Sequence, residues 1–175
     1  MGREVKVGRD VPPLNFFRKK YANRKAVSHM KLQSLTIDDY DQIVQLWTKA
    51  GLPFEKEGRD SKQAIETQMK LNPEFFLGAF EDFRLVGVCI TSFDGRKGWI
   101  NHLTVDLGHR RQGIAEALVA EAEKVLERKG VAVFATLVYD SNIASKSLFK
   151  KSGYTEHRDI IYFRKQTTAS TKKRL

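Results

Sequence analysis

The residues with most chemical potential in this chain are Arg110-Arg111-Gln112-Gly113-Ile114-Ala115. They stand where an apolar strand pattern ends at Val105 and a helical period of apolar residues begins. The first turn of a helix carries unpaired backbone N–H groups and the positive end of the helix dipole. Glycine and a small residue at that point let an anion approach the backbone, and flanking arginines add charge-assisted hydrogen bonds. The chemistry offered is binding of a phosphate or pyrophosphate. The same spacing also suits a capped surface helix, so the motif alone leaves both readings open.

Other groups are less telling one by one. His102 has a side chain that titrates near neutrality, and simple strand alternation places it on the face opposite Leu103. Asn142 precedes an apolar helical stretch and suits an N-cap. Leu52-Pro53-Phe54-Glu55-Lys56-Glu57 sets carboxylates beside an aromatic, a combination that attracts a cationic amine and equally describes a solvated loop. Cys89, the one cysteine, lies in an apolar strand and reads as packing. A lone cysteine excludes an internal disulfide framework and a cysteine-built metal cluster, and no metal site is expected.

The elements that must position these groups follow from periodicity. A strand spans 31–36, and Thr36 with Asp39 forms a capping box opening a helix that runs to about Ala50 and stops at Gly51. A second helix starts near Asp60 and ends at Asn72-Pro73. Strands are expected over 75–80, 85–92 and 99–105, with Asp94-Gly95 read as a type I′ hairpin turn. A helix covers 113–129, an apolar run at 131–138 reads as a strand buried on both faces, a last helix covers 142–151, and 160–163 closes the sheet. The expected class is α/β, a mixed sheet in the order βααβββαβαβ flanked by helices.

The 175 residues, 41% of them apolar, suit one domain, here bounded as 30–166. The net charge of +10 lies almost wholly outside it, in a basic extension over 1–29 and a polar basic tail over 167–175. A natural extension, an upstream start and a vector-derived leader all stay open for the first segment. Nucleic acid is expected to be met only through these tails. No run of membrane-spanning length or signal-peptide core is read, so a cytoplasmic location without membrane contact is expected.

Strand, Arg110-x-x-Gly113-x-Ala115 and helix together resemble the Gln/Arg-x-x-Gly-x-Gly/Ala signature of the GNAT acetyltransferases. A second block, NIASKSLFKKSGY from Asn142 to Tyr154, is similar to that family's Asn-led last helix. The resemblance spans roughly 31–163. It implies a GNAT fold and an N-acetyltransferase that moves acetyl from acetyl-CoA to a primary amine of a small molecule or peptide, in a ternary complex, as monomer or homodimer. It assigns Arg110, Arg111, Gln112, Gly113, Ile114 and Ala115 to the CoA pyrophosphate. Leu103 and Val105 would pair with the pantetheine arm, the Leu103 amide would face the thioester oxygen, and Asn142 and Phe149 would border the same arm.

The chain departs from the family's pattern at two positions. Phe149 stands where a proton-donating tyrosine is frequent, which leaves Tyr139, Tyr154, water or a free thiolate to complete the departure of CoA. Asn101 stands where glutamate is frequent, which leaves His102 or a water path as the base. Phe54, Glu55 and Asn101 are expected on the acceptor side. The alternative is a catalytically weak CoA-binding or nucleic-acid-associated regulatory module.

Overall fold

The computed structural model describes residues 30–165. Strand β1 (Met30–Ser34) leads to Thr36, whose N–H donates to the Asp39 carboxylate at 2.8 Å, so the expected capping box forms. A short turn carries the chain into α1 (Tyr40–Ala50), which buries Tyr40, Ile43, Leu46 and Trp47 along one face. Gly51, at φ 69°, ends it in the left-handed region that glycine enters without steric cost. Helix α2 (Lys62–Leu71) begins where the Ser61 hydroxyl accepts from the Ala64 N–H, and it buries only Ile65 and Met69.

The sheet among the described residues has five strands in sequence order: β1, β2 (Phe76–Glu81), β3 (Arg84–Phe93), β4 (Gly98–Val105) and β5 (Phe134–Ala135). The first four are antiparallel neighbours, and β5 joins β4 in parallel after the crossover helix α3 (Ile114–Arg128). Residues 85–91 of β3 are all buried, because α1 packs on β3 and β4 while α3 packs on β2, β3 and β4. Close approach of α3 depends on glycine. A β-carbon on Gly98 would come within 2.7 Å of Leu126, and one on Gly87 within 3.0 Å of Ile114 and Leu118.

Three expectations are corrected. The β3–β4 connection is a four-residue loop over 94–97 and not a two-residue turn. Asp94 organises it by accepting from the backbone N–H groups of Arg96 and Lys97 and from the Trp99 indole, at 2.7–2.9 Å, and these bonds draw its carboxyl down to about 2. The apolar run 131–138 yields a two-residue strand with Val133 and Leu137 exposed, since among the described residues no further strand lies outside it. Residues 160–163 form no strand. Ile160, Ile161, Tyr162 and Phe163 are all exposed, and the short β5 gives them little ladder to join. Between these segments α4 (Ile143–Lys151) packs through Phe149.

Candidate active site

The site originates in an irregularity of β4. Val88 of β3 stands opposite Thr104 and Ile90 opposite Asn101, so Cys89 alone spans His102 and Leu103. This is a β-bulge, and His102 absorbs it at φ 43°. The extra residue breaks strict alternation. His102 and Leu103 therefore line one and the same cleft, contrary to the opposite faces expected from period two. On its other side β4 pairs with β5 only through Gly98 and Trp99. The Thr136 hydroxyl donates to the Ile100 carbonyl at 3.0 Å, and beyond that point the two segments part. The gap is a cleft of about 440 Å³ with Ile100, Asn101, His102 and Leu103 on one side and Thr136 to Tyr139 on the other.

The loop after α1 supplies another wall through Leu52, Pro53, Phe54, Glu55 and Arg59. Phe54 reaches it because its ring packs on Trp47, with centroids 5.5 Å apart. Asp60, 3% exposed, braces this loop: its Oδ2 accepts from the Glu55 N–H at 2.7 Å and lies 3.4 Å from Arg59 Nε. Its Oδ1 faces His102 Nε2 at 3.6 Å. The His102 ring rests on Trp47 at 4.9 Å. Burial pushes its pKa below the ordinary histidine value, Asp60 pulls it back up, and Arg59 pushes it down again. Asn101 borders the cleft and donates to the Ser92 hydroxyl at 3.1 Å.

The far wall comes from α4 and the segment before it. Asn142 lines the cleft and its side chain accepts from the Ser145 N–H at 3.0 Å, so the N-cap role is real. Phe149 is buried at the cleft, edge-on to Tyr154 at 5.1 Å. Tyr139 lines the cleft and is well exposed, whereas Tyr154 does not line it.

The basic loop lies outside the cleft lining, following the C-terminal end of β4. It is anchored by Asp106, whose buried carboxylate meets Lys49 at 2.8 Å, Arg84 at 3.1 Å, the Gly108 N–H at 2.9 Å and His109 Nδ1 at 3.3 Å. Lys49 is the largest cause holding the Asp106 carboxyl far below the usual range. Arg111 and Gly113 both sit in the left-handed region, at φ 65° and 87°. Such a conformation costs a residue with a β-carbon of order 1–2 kcal/mol and is common where backbone N–H groups gather around an anion. Gly113 caps α3, and Ala117 is the first α3 residue to bond back to it, at 3.0 Å, so the amides of Ile114 and Ala115 precede the helical ladder. The Arg110 Nε donates to the Val105 carbonyl at 3.3 Å, and the Gln112 amide donates to the Gly108 carbonyl at 3.4 Å. The amides at the head of α3 and the neighbouring arginines are donors of the kind a pyrophosphate takes.

Residues 40–154 match the family model described as the acetyltransferase (GNAT) family. The chain belongs to that family. It is an acetyl-CoA-dependent N-acetyltransferase, and acetyl-CoA is its cosubstrate. An acetyltransferase of Photorhabdus laumondii is 29% identical over 138 residues, covering 78% of this chain and 95% of that protein. The PaiA N-acetyltransferase of Thermoplasma acidophilum, solved in complex with coenzyme A, superposes with TM-score 0.61 at 24% identity, over 70% of this chain and 87% of that one. The diaminobutyrate acetyltransferase EctA of Paenibacillus lautus, solved with L-2,4-diaminobutyric acid and coenzyme A, gives TM-score 0.61 at 22% identity, over 70% and 74%. These likenesses carry the GNAT fold. Among the described residues no group of three or more His, Cys, Asp or Glu could hold a metal, and no helix is long and apolar enough to cross a membrane.

Asp60 is the member of the site that the sequence did not single out. It stands in a polar stretch, Glu57-Gly58-Arg59-Asp60-Ser61, where it looks like one more charge before a helix. The one signal available was its place just ahead of the α2 N-cap, which marks a loop that must be fixed.

Proposed function

We propose that the chain acetylates a primary amine, carried by a small molecule or a peptide, by direct attack on acetyl-CoA in a ternary complex. The observation that carries this reading is the bulged β4 edge. It lies between a loop suited to pyrophosphate and a cleft whose other wall holds Phe54 and Glu55. An extended arm beginning at Arg110, Arg111, Gln112, Gly113, Ile114 and Ala115 and following Val105 and Leu103 along β4 arrives in that cleft. Asn142 and Phe149 border the same space.

The amine nitrogen attacks the thioester carbonyl carbon, a C–N bond forms, and the C–S bond breaks to release CoA thiolate. The Leu103 N–H is assigned to the developing oxyanion, a type of donor whose removal costs roughly 3–4 kcal/mol of barrier. Holding both reactants in line supplies more, about 7–11 kcal/mol at best. Phe54 and Glu55 suit an ammonium-bearing acceptor, and Asn101 offers a neutral polar contact. The amine proton leaves toward His102, directly or through water, and Tyr139 is the phenol nearest to hand for the thiolate. That EctA takes diaminobutyrate supports a small amine as acceptor.

Isothermal titration with acetyl-CoA and with CoA tests the cosubstrate site, and thiol release over a panel of primary amines tests the reaction. Micromolar binding at one site followed by amine-dependent thiol release is expected. Failure to bind either ligand overturns the reading. Deleting residues 1–29 and 167–175 should leave both properties intact, because every residue assigned a role lies within 30–166.

A further inference from the structure

We infer that Asp60 is a positioning residue that orients His102 and offsets its charge while the imidazole takes the proton of the attacking amine. This rests on the amine-acetylating reading above. Three independent contacts fix the pair. Asp60 sits 3% exposed with Oδ2 committed to the Glu55 N–H at 2.7 Å, which leaves Oδ1 turned to His102 Nε2 at 3.6 Å. The imidazole lies on the Trp47 ring at 4.9 Å and 33°, so it cannot swing freely, and the indole face is a favourable neighbour for an imidazolium. The Tyr40 hydroxyl donates to the Asp60 carbonyl at 2.9 Å, which holds the backbone of Asp60 against α1.

A separation of 3.6 Å is an ion-pair distance slightly beyond a hydrogen bond. That is the geometry expected while the imidazole is neutral. A proton on the ring draws the carboxylate in, and catalytic contacts commonly tighten only when the ligands are bound. The charged and titratable groups around the ring are Asp60, Arg59 and Glu55 from the loop, with Tyr139 and Arg164 also lining the cleft. Burial favours the neutral ring, so at neutral pH His102 is free to accept a proton. Asp60 then makes the resulting cation tolerable, against the opposing charge of Arg59.

His102 also occupies φ 43°, a conformation that strains a residue with a β-carbon. The bulge places its ring beside both Asp60 and the cleft that Leu103 lines. Strain spent to bring one imidazole between a buried carboxylate and a substrate cleft is the arrangement of a base, and a packing histidine has no need of it.

The test uses the full chain. Imidazole nitrogen NMR follows the titration of His102 in the wild type and in Asp60→Asn. The wild-type midpoint is expected below the ordinary value of about 6.5. Asp60→Asn removes the charge that raises it and should move it lower still. An unchanged midpoint overturns the pairing.

Kinetics then uses the first amine of the panel that is acetylated. His102→Gln should lower kcat about 10²–10⁴-fold with the KM for acetyl-CoA nearly constant. It should also abolish the part of the acid limb of kcat/KM that exceeds the amine's own titration. Asp60→Asn should lower kcat less and carry that limb to lower pH. A His102→Gln enzyme with wild-type kcat and limb overturns the base. Normal CoA binding with no amine acetylated strikes the amine reading instead, and the NMR titration still decides the pair.

Discussion

The ammonium of Lys49 on α1 and the buried carboxylate of Asp106 at the end of β4 stand 2.8 Å apart, and the same carboxylate oxygen meets Arg84 at 3.1 Å. One side chain thus ties α1, β3 and the start of the basic loop together. Both cations are half-exposed and can return to water, so the loss on removing Asp106 falls mainly on its bonds to Gly108 and His109. Asp106→Ala should destabilise the fold by about 2 kcal/mol, read in urea unfolding. Because the folded pKa is depressed, the wild type holds this contribution fully above the unfolded carboxyl value of about 3.9 and loses it as pH falls through the folded value. The gap between wild type and Asp106→Ala should therefore close in strongly acidic buffer and stay constant from pH 5 to 7.

At Gly113 two effects need separating. Its φ of 87° strains any residue with a β-carbon, and its place at the head of α3 is where the pyrophosphate is assigned. Gly113→Ala adds strain and a methyl group where the anion approaches, and Gly113→Asp adds a negative charge beside the ligand as well. In calorimetry, Gly113→Asp should weaken CoA binding at least about 100-fold, corresponding to 2.7 kcal/mol or more, and Gly113→Ala substantially less. Equal losses in the two variants would mean that the added charge does not meet the ligand, and undiminished affinity in Gly113→Asp would remove the pyrophosphate from this loop.

Cys89 is fully buried in β3, and burial pushes its thiol up to about 12. Attack on a disulfide or maleimide requires the thiolate and access, and this residue has neither. Ellman's reagent at pH 8 should find no thiol in the folded chain and one per chain in guanidinium chloride. Labelling of the native protein at the rate of a free thiol would contradict the packing of β3 against both helical layers.

Much of the scaffold was legible because local signals agreed with the global fold. Thr36 with Asp39, Gly51, Gly113 and the α1 stripe of Tyr40, Ile43 and Trp47 each mark a boundary or a face by short-range physics. The bulge was not legible. Asn101-His102-Leu103 contains no glycine to announce a positive φ, so strict alternation was the natural expectation and sent His102 to the wrong face. Asp60 was hidden for a different reason: its contact with His102 depends on the bulge and on the fold of the 52–60 loop, both tertiary facts. At 160–163 an apolar run suggested a strand, but pairing needs a partner edge as well as propensity, and β5 offers two residues.

Phe149 is buried beside the cleft with its ring edge-on to Tyr154. Phe149→Tyr adds one hydroxyl and leaves the ring's packing in place. If collapse of the intermediate waits for a proton, the new donor should raise kcat more than tenfold, within the range of about 10²–10⁴ that general acid catalysis supplies. A thiol is far more acidic than an alcohol, with a pKa of about 8.5, so CoA can depart as thiolate near neutral pH without assistance. We therefore expect kcat of Phe149→Tyr to stay within about threefold of wild type at pH 7, with Tyr139→Phe equally mild. A large gain in the first variant, or a large loss in the second, would mean that proton delivery to sulfur limits turnover and that His102 governs only the earlier step.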